Sequence, residues 1–371
     1  MKKILTIVGA RPNFMKAAVL HRALEALPGV VSRIVHTGQH YDATMSDVFF
    51  RELDLPAPHE YLGMHDTHPA RLVARIMLAL GPVLERERPD WLVVIGDVDS
   101  TLAAALTAHK MGIPLAHVEA GLRSFDRGMP EENNRIITDA LSDLLFVTEQ
   151  NGIENLLKEG ISSQKIHLAG NCLVDCLVQY HEKSAQTGYF NSLQLPDRGY
   201  ALLTFHRPSN VDTVPALENL VALIEQVCLR FPAVFPLHPR TRKRLEEAGL
   251  FGRLAGNPRL HLPEPLGYLS FLNLMEHAAV VVSDSGGVQV ETGWLDVPCI
   301  TLRQSTESPA CIEFGTNVLL PEPDAAALNA LLDVIERGDW KKSRLRGLWD
   351  GQAAVRMAEV LAGEGSAKGT S

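Results

Sequence analysis

Short aliphatic and β-branched runs alternate along this chain with longer segments of helical periodicity, and most runs stop at a glycine, proline or polar cluster. The first runs fall at residues 4–8, 33–36, 91–95, 114–118 and 144–148. Between the first two, Leu20, Leu24 and Leu27 recur at helical spacing while Lys16, Arg22 and Glu25 point elsewhere. Strands joined through helices pair in parallel. The pattern pauses near Gly170-Asn171 and across the polar stretch 183–198, then restarts with runs at 200–204, 234–237, 280–283, 299–302 and 317–320. The chain is therefore expected to build two doubly wound, Rossmann-like α/β domains, residues 1–169 and 170–351, facing each other across a cleft. A helix at 352–362 is expected to complete the first domain, and the small-residue tail at 363–371 to stay unpacked. With 371 residues the chain exceeds one ordinary core, which agrees with two domains.

Composition removes several functions. At 46% hydrophobic and 21% charged residues the chain is neither disordered nor fibrous. Its 35 Lys and Arg against 44 Asp and Glu, net −9, argue against a nucleic acid or an anionic membrane as partner, while leaving room for a local basic pocket. No apolar stretch approaches the roughly 20 residues of a membrane span. Five cysteines without a CxxC pair, and an N-terminal run too short for a leader, predict reduced thiols and a cytoplasmic protein. Cys172 and Cys176 lack a second Cys/His pair, and His36 and His40 lack an acidic partner at ligand spacing, so no metal is expected. Neither GxGxxG nor GxxxxGK[ST] follows any predicted strand, so no dinucleotide cofactor is expected.

Four polar clusters sit at predicted strand ends, where ligands bind in such sheets. Gly9 to Lys16 opens a helix at Pro12 and adds Arg11 and Lys16, which reads either as an anion site or as a capped helix with two solvated bases. Asp284 to Glu291 places two glycines and Ser285 at another helix start, the outline of a diphosphate cradle with Glu291 in reach of a ribose diol. Asp97, Glu119 and the pair Glu131-Glu132 follow or interrupt apolar runs instead of lying on a solvated face, which favours a site over helix caps and ion-pair partners. His206 and His238, each next to a chain-stiffening proline, suit donation to phosphoryl oxygens or proton transfer near neutrality.

Taken together, GARPNFMK at 9–16, TGQHYD at 37–42, GDVDSTLAAA at 96–105, HVEAGLRSFDRGMPEENNR at 117–135, HRPSNVD at 206–212, HPRTRKRL at 238–245 and DSGGVQVE at 284–291 resemble the non-hydrolysing UDP-N-acetylglucosamine 2-epimerases. The resemblance implies a GT-B-like nucleotide-sugar fold with UDP held by the second domain. It makes Ser285, Gly286 and Gly287 the phosphate-binding turn, Glu291 the ribose ligand and Phe271 the residue beside uracil. Arg11, Lys16, Arg135, His206 and His238 would line the cleft, with His206 also placed among the catalytic groups, and Asp97, Glu119 and Glu131 would move protons. It further implies a homodimer, no cofactor, and activation by substrate at a site including Gln39 and His40. Val290 stands where the family has an acid and Ser308 where it has an arginine. A related UDP-2-acetamido sugar such as a 2,3-diacetamido uronate, a glycosyltransferase, and a non-catalytic UDP-sugar sensor are the alternatives.

The chemistry explains such residues. The C2 proton of a 2-acetamido sugar has no adjacent carbonyl, so something must acidify it. Expelling UDP from C1 leaves an electron-poor anomeric carbon beside C2 and yields a glycal. That route needs cations for the departing diphosphate and proton-transfer groups on both faces of C2.

Overall fold

The computed structural model describes residues 1–39 and 57–363, without the side chains of Arg11 and Pro12. The chain divides into two compact units, Met1–Gln179 with the segment from Leu348 onward, and Tyr180–Gly347. Each is built on one parallel sheet.

The first unit contains β1 (Lys2–Val8), β2 (Val30–His36), β3 (Glu60–Tyr61), β4 (Trp91–Ile95), β5 (Leu115–Ala120), β6 (Leu144–Val147) and β7 (Ile166–Leu168), in the spatial order β3-β2-β1-β4-β5-β6-β7. The order reverses between β1 and β4, the switch point of a doubly wound sheet. The last five residues of β1 and the last four of β4 are all buried, because helices cover both faces. Leu5, Ile7, Leu92 and Val94 meet Leu80 and Leu84 of α2 (Pro69–Glu87) and Ala104 and Ala108 of α3 (Asp99–Met111) in one core. The approach is close: a β-carbon on Gly9 would lie 2.2 Å from the Ser100 hydroxyl. Helix α1 (Arg11–Glu25) begins directly after β1, with Pro12 in its first turn and the Asn13 Oδ1 accepting the Ala10 N–H at 3.1 Å. The C-terminal helix, Ala353–Ala362, returns to this unit, where the Asp175 carboxylate at the start of helix Cys172–Gln186 accepts the Ala354 N–H at 2.6 Å.

The second unit repeats the plan with β8 (Ala201–Thr204), β9 (Ala233–Val234), β10 (Leu260–His261), β11 (Val280–Ser283), β12 (Cys299–Thr301) and β13 (Asn317–Leu319), ordered β10-β9-β8-β11-β12-β13. Its switch point lies between β8 and β11. Leu203, Phe205, Phe235, Val282 and Ile300 form the core with Leu220, Ile224 and Leu328. Three edge strands, β3, β7 and β10, were not expected from the sequence. They are two or three residues long, too short to carry a period. Among the described residues no helix is long and apolar enough to cross a membrane.

Glu87 ties the end of α2 to the sheet through Lys3, Arg33 and His59. Burial pushes its carboxyl up, yet the three bases outweigh burial and bring it from 4.5 to about 2. A depressed acid contributes stability above its unfolded pKa and loses it as pH falls through the folded one. Glu87→Gln is accordingly expected to lower Tm at pH 7, with the gap to wild type closing between pH 4.5 and about 2. A constant gap across that window would exclude this linkage.

Candidate active site

Register brings the carboxyl ends of β1, β4 and β5 level: Ile7 lies beside Val94, and Ile95 beside Val118. Gly96 leaves β4 at φ 70°, and a β-carbon there would lie 3.6 Å from Glu119 Oε2. Glu119 itself has φ 72°, at an irregularity in the pairing of β5 with β6. A left-handed glutamate costs about 1–3 kcal/mol and persists only where its surroundings over-determine it. Here it turns the carboxylate onto Lys16, with Nζ 2.5 Å from Oε2. Asp97, one residue past Gly96, pairs with Arg135. Its backbone carbonyl accepts from the Asn134 amide at 2.9 Å.

Lys16 comes from α1, and Asn134 and Arg135 from α4 (Pro130–Leu141). Arg135 is buried and bonds the Glu132 carboxylate at 2.6 Å. Burial pushes the Glu132 carboxyl up, but the Ser124 N–H, Arg135 and the Phe125 N–H hold it below the ordinary range. The carboxylate that anchors Arg135 is thus that of Glu132, while Glu131 is half-buried in the first turn of α4. Gln39 accepts from the Ser100 N–H at 2.9 Å and its hydroxyl at 2.6 Å, in the first turn of α3. His40 and the Arg11 side chain lie outside the described residues.

In the second unit Ser283 lies beside Thr204, so the residues leaving β8 and β11 meet. Asp284, fully buried, accepts the backbone N–H groups of His206 at 3.0 Å and Arg207 at 2.9 Å and the Asn210 amide at 3.0 Å. Its Oδ1 lies 3.1 Å from His206 Nδ1. Burial raises the Asp284 carboxyl, but His206, Asn210 and the Arg207 N–H outweigh it and keep it ionised. His238 precedes α5 (Pro239–Glu247), its Nδ1 accepting the Arg240 N–H at 3.2 Å. The His206 and His238 rings stand 6.2 Å apart between centroids. Phe271 is half-buried in α6 (Tyr268–Glu276).

Ser285 precedes α7 (Gly286–Leu295), so Gly286 and Gly287 form its first turn, while Val290 and Glu291 are buried. An amino end with two bare glycines offers N–H groups and a partial positive charge to an anion. Arg303 stands against that end: a β-carbon on Gly286 would meet its NH1 at 3.8 Å. Glu307 grips both Arg303 nitrogens at 2.8 and 2.6 Å. Ser308, with its N–H on the Thr306 hydroxyl at 3.2 Å, follows directly. Among the described residues no three His, Cys, Asp or Glu side chains are grouped to hold a metal.

A family model described as UDP-N-acetylglucosamine 2-epimerase matches residues 22–362. The chain belongs to that family. The UDP-N-acetylglucosamine 2-epimerase of Methanocaldococcus jannaschii is 40% identical over 97% of this chain and 98% of its own length. The UDP-2,3-diacetamido-2,3-dideoxy-D-glucuronate 2-epimerase of Pseudomonas aeruginosa is 37% identical over 97% and 99%. The crystal structure of the M. jannaschii UDP-GlcNAc 2-epimerase in complex with UDP-GlcNAc and UDP matches with a TM-score of 0.89 and 39% identity, covering 97% of this chain and 99% of that one. The expected GT-B-like class, with two doubly wound α/β units, stands, as does the assignment to the epimerases, which are isomerases.

Within this family frame, the structure brings Lys16, Asp97, Glu119 and Arg135 together in the first unit, and His206 and His238 near each other in the second. Of the buried side chains around these groups, Glu132 and Asp284 fell inside clusters the sequence singles out but were given no role of their own, while Asp139, and Arg303 beside Gly286, were not singled out. For Asp284 a signal existed: an acid directly after an apolar run, as with Asp97.

Proposed function

We propose that this protein is a UDP-sugar 2-epimerase that interconverts UDP-N-acetylglucosamine and UDP-N-acetylmannosamine by expelling UDP to a 2-acetamidoglucal and adding it back. The observation that carries the reading is the pairing of two carboxylates with two bases, Asp97 with Arg135 and Glu119 with Lys16, at the strand ends of the first unit. In this scheme Asp97, Glu119 and Glu131 remove and return the C2 proton. Arg135 beside Asp97 and Lys16 beside Glu119 fix where these two carboxylates stand.

The second unit holds UDP in this reading. The N–H groups of Ser285, Gly286 and Gly287 receive the diphosphate, Glu291 the ribose, and Phe271 the uracil. His206, His238 and Arg11 supply further donors as the C1–O bond breaks and charge collects on the leaving oxygen. Gln39 and His40 are assigned to substrate activation, and the active form to a cytoplasmic homodimer.

The experiment is a proton and carbon NMR time course with UDP-N-acetylglucosamine in deuterated buffer. UDP-N-acetylmannosamine is expected to appear with deuterium at C2, recovered substrate to gain the same label, and free UDP not to accumulate. Retention of the C2 hydrogen in product would refute the elimination route. A second reading, a 2,3-diacetamido uronate as substrate, is favoured by Ser308 in place of the family's arginine and by the 37% identity to the P. aeruginosa enzyme. Comparing kcat/KM for the two UDP-sugars decides between them.

A further inference from the structure

One buried group in the first unit holds the chain on either side of Glu119 and, through His117, the residue before Asp97. Asp139, on α4, is wholly enclosed. Its Oδ1 lies 2.6 Å from His117 Nδ1, and its Oδ2 accepts the Gly121 N–H at 3.1 Å and an Arg123 N–H at 2.7 Å. His117 and Gly121 stand two residues before and two after Glu119. Asp139 therefore grips both flanks of the irregular segment that turns Glu119 into its left-handed conformation. From the same cluster His117 Nε2 reaches 2.8 Å to the carbonyl of Gly96, the residue that leads into Asp97.

The acceptors around the ring constrain how His117 is held. A carbonyl only accepts. Burial raises the Asp139 carboxyl, but His117 and Arg123 outweigh it and keep it an anion. Each ring nitrogen of His117 thus faces an acceptor, Nδ1 the Asp139 carboxylate and Nε2 the Gly96 carbonyl. Arg123 continues the alternation to Glu159, whose oxygens it meets at 2.8 and 2.6 Å. Each enclosed charge has an opposite neighbour, as a water-free ionic cluster requires.

The geometry points to Asp139 and His117 as positioning residues for the epimerase reaction: one hydrogen-bonded pair sets the placement of Glu119 and Asp97 relative to each other. Asp97 lies two residues past β4 and Glu119 is next to last in β5, and the pairing of the two strands, which ends at Ile95 and Val118, does not dictate where either points. The Asp139–His117 pair bridges that gap. This inference rests on the proton-transfer roles given to Asp97 and Glu119.

The test compares three proteins with UDP-N-acetylglucosamine, reading kcat, KM, deuterium entry at C2 and UDP affinity. Asp139→Ala frees both arms, and a displacement of about 1 Å is expected to cut kcat and C2 exchange by roughly fiftyfold. KM and UDP affinity should stay within about threefold, because the uridine-binding residues lie in the other unit. Asp139→Asn can still accept from Gly121 and Arg123 through Oδ1 and donate to a neutral His117, so its kcat should recover to within about tenfold of wild type. Equal loss in Asn and Ala variants, or a kcat for Asp139→Ala within about threefold of wild type, overturns the proposal. If Asp139→Ala does not fold, His117→Asn removes the Gly96 arm and the grip at residue 117 while leaving Asp139 on Gly121 and Arg123, and must show the same fall in kcat at unchanged KM. If neither variant folds, the cluster serves stability and the proposal fails. A wild-type protein that incorporates no deuterium at C2 instead defeats the epimerase reading itself.

Discussion

Asp97→Asn is expected to lower kcat about a thousandfold, in the middle of the range for a lost acid or base, while leaving Tm and UDP affinity nearly unchanged. The reason lies in what asparagine keeps. Its Oδ1 still accepts from Arg135, whose guanidinium also remains bonded to Glu132 at 2.6 Å and 3.1 Å and is not stranded in the interior. The Asp97 carbonyl that receives the Asn134 amide is backbone and untouched. An amide cannot take up a proton at neutral pH. The substitution thus separates chemistry from architecture better than alanine would. Rapid-quench turnover and C2 deuterium entry should fall together; turnover within about threefold of wild type would remove Asp97 from the proton-transfer set.

The interior strands were legible because a strand covered on both faces must be apolar throughout. The runs at 91–95 and 280–283 coincide with β4 and β11. The edges were not, since β3, β7 and β10 pair on one side only and need few residues. The run at 234–237 shrank to Ala233–Val234 because Pro236 has no N–H to continue the ladder. Alternation shows where strands stop. It does not show which neighbour a strand finds, and it is the neighbour that sets β1 against β4 and β8 against β11.

The candidate site divides along the same line. Asp97, Glu119 and His206 could be picked out because they follow or interrupt apolar runs at strand ends, where chain polarity alone predicts exposure to a ligand. Asp139 was invisible: within a helix an isolated aspartate reads as a solvated face, and only the fold reveals that it points inward to His117 and Arg123. Glu131 and Glu132 show the limit within a single dipeptide. Helical geometry separates adjacent side chains by about 100°, so the two point in different directions, and the sequence does not say which turns inward. Packing turned Glu132 inward to Arg135. Arg303 was missed for want of any local pattern, since its place beside Gly286 follows from two strands, β11 and β12, lying side by side.

Asp284→Asn should lower kcat several-hundredfold by moving one proton on His206. In the wild-type protein the carboxylate faces Nδ1 at 3.1 Å and is ionised, so Nδ1 holds the hydrogen and Nε2 is left to exchange protons with a ligand. Asparagine can satisfy the Arg207 and Asn210 donors through its oxygen, which turns its NH2 toward the histidine. Nδ1 must then accept, and the hydrogen of the neutral ring moves to Nε2. A ring that already carries a hydrogen on Nε2 can no longer receive one there, an inversion that costs a comparable serine–histidine–aspartate site about 10⁴ in kcat. Nitrogen-15 spectra of the histidines should report the change directly, with the protonated position passing from Nδ1 to Nε2 in one resonance that disappears in His206→Gln. The exits of β8 and β11 share this carboxylate, so a modest fall in Tm is also expected, and it does not by itself explain a changed tautomer. An unchanged nitrogen spectrum with unchanged kcat would reduce Asp284 to a tie between two strands.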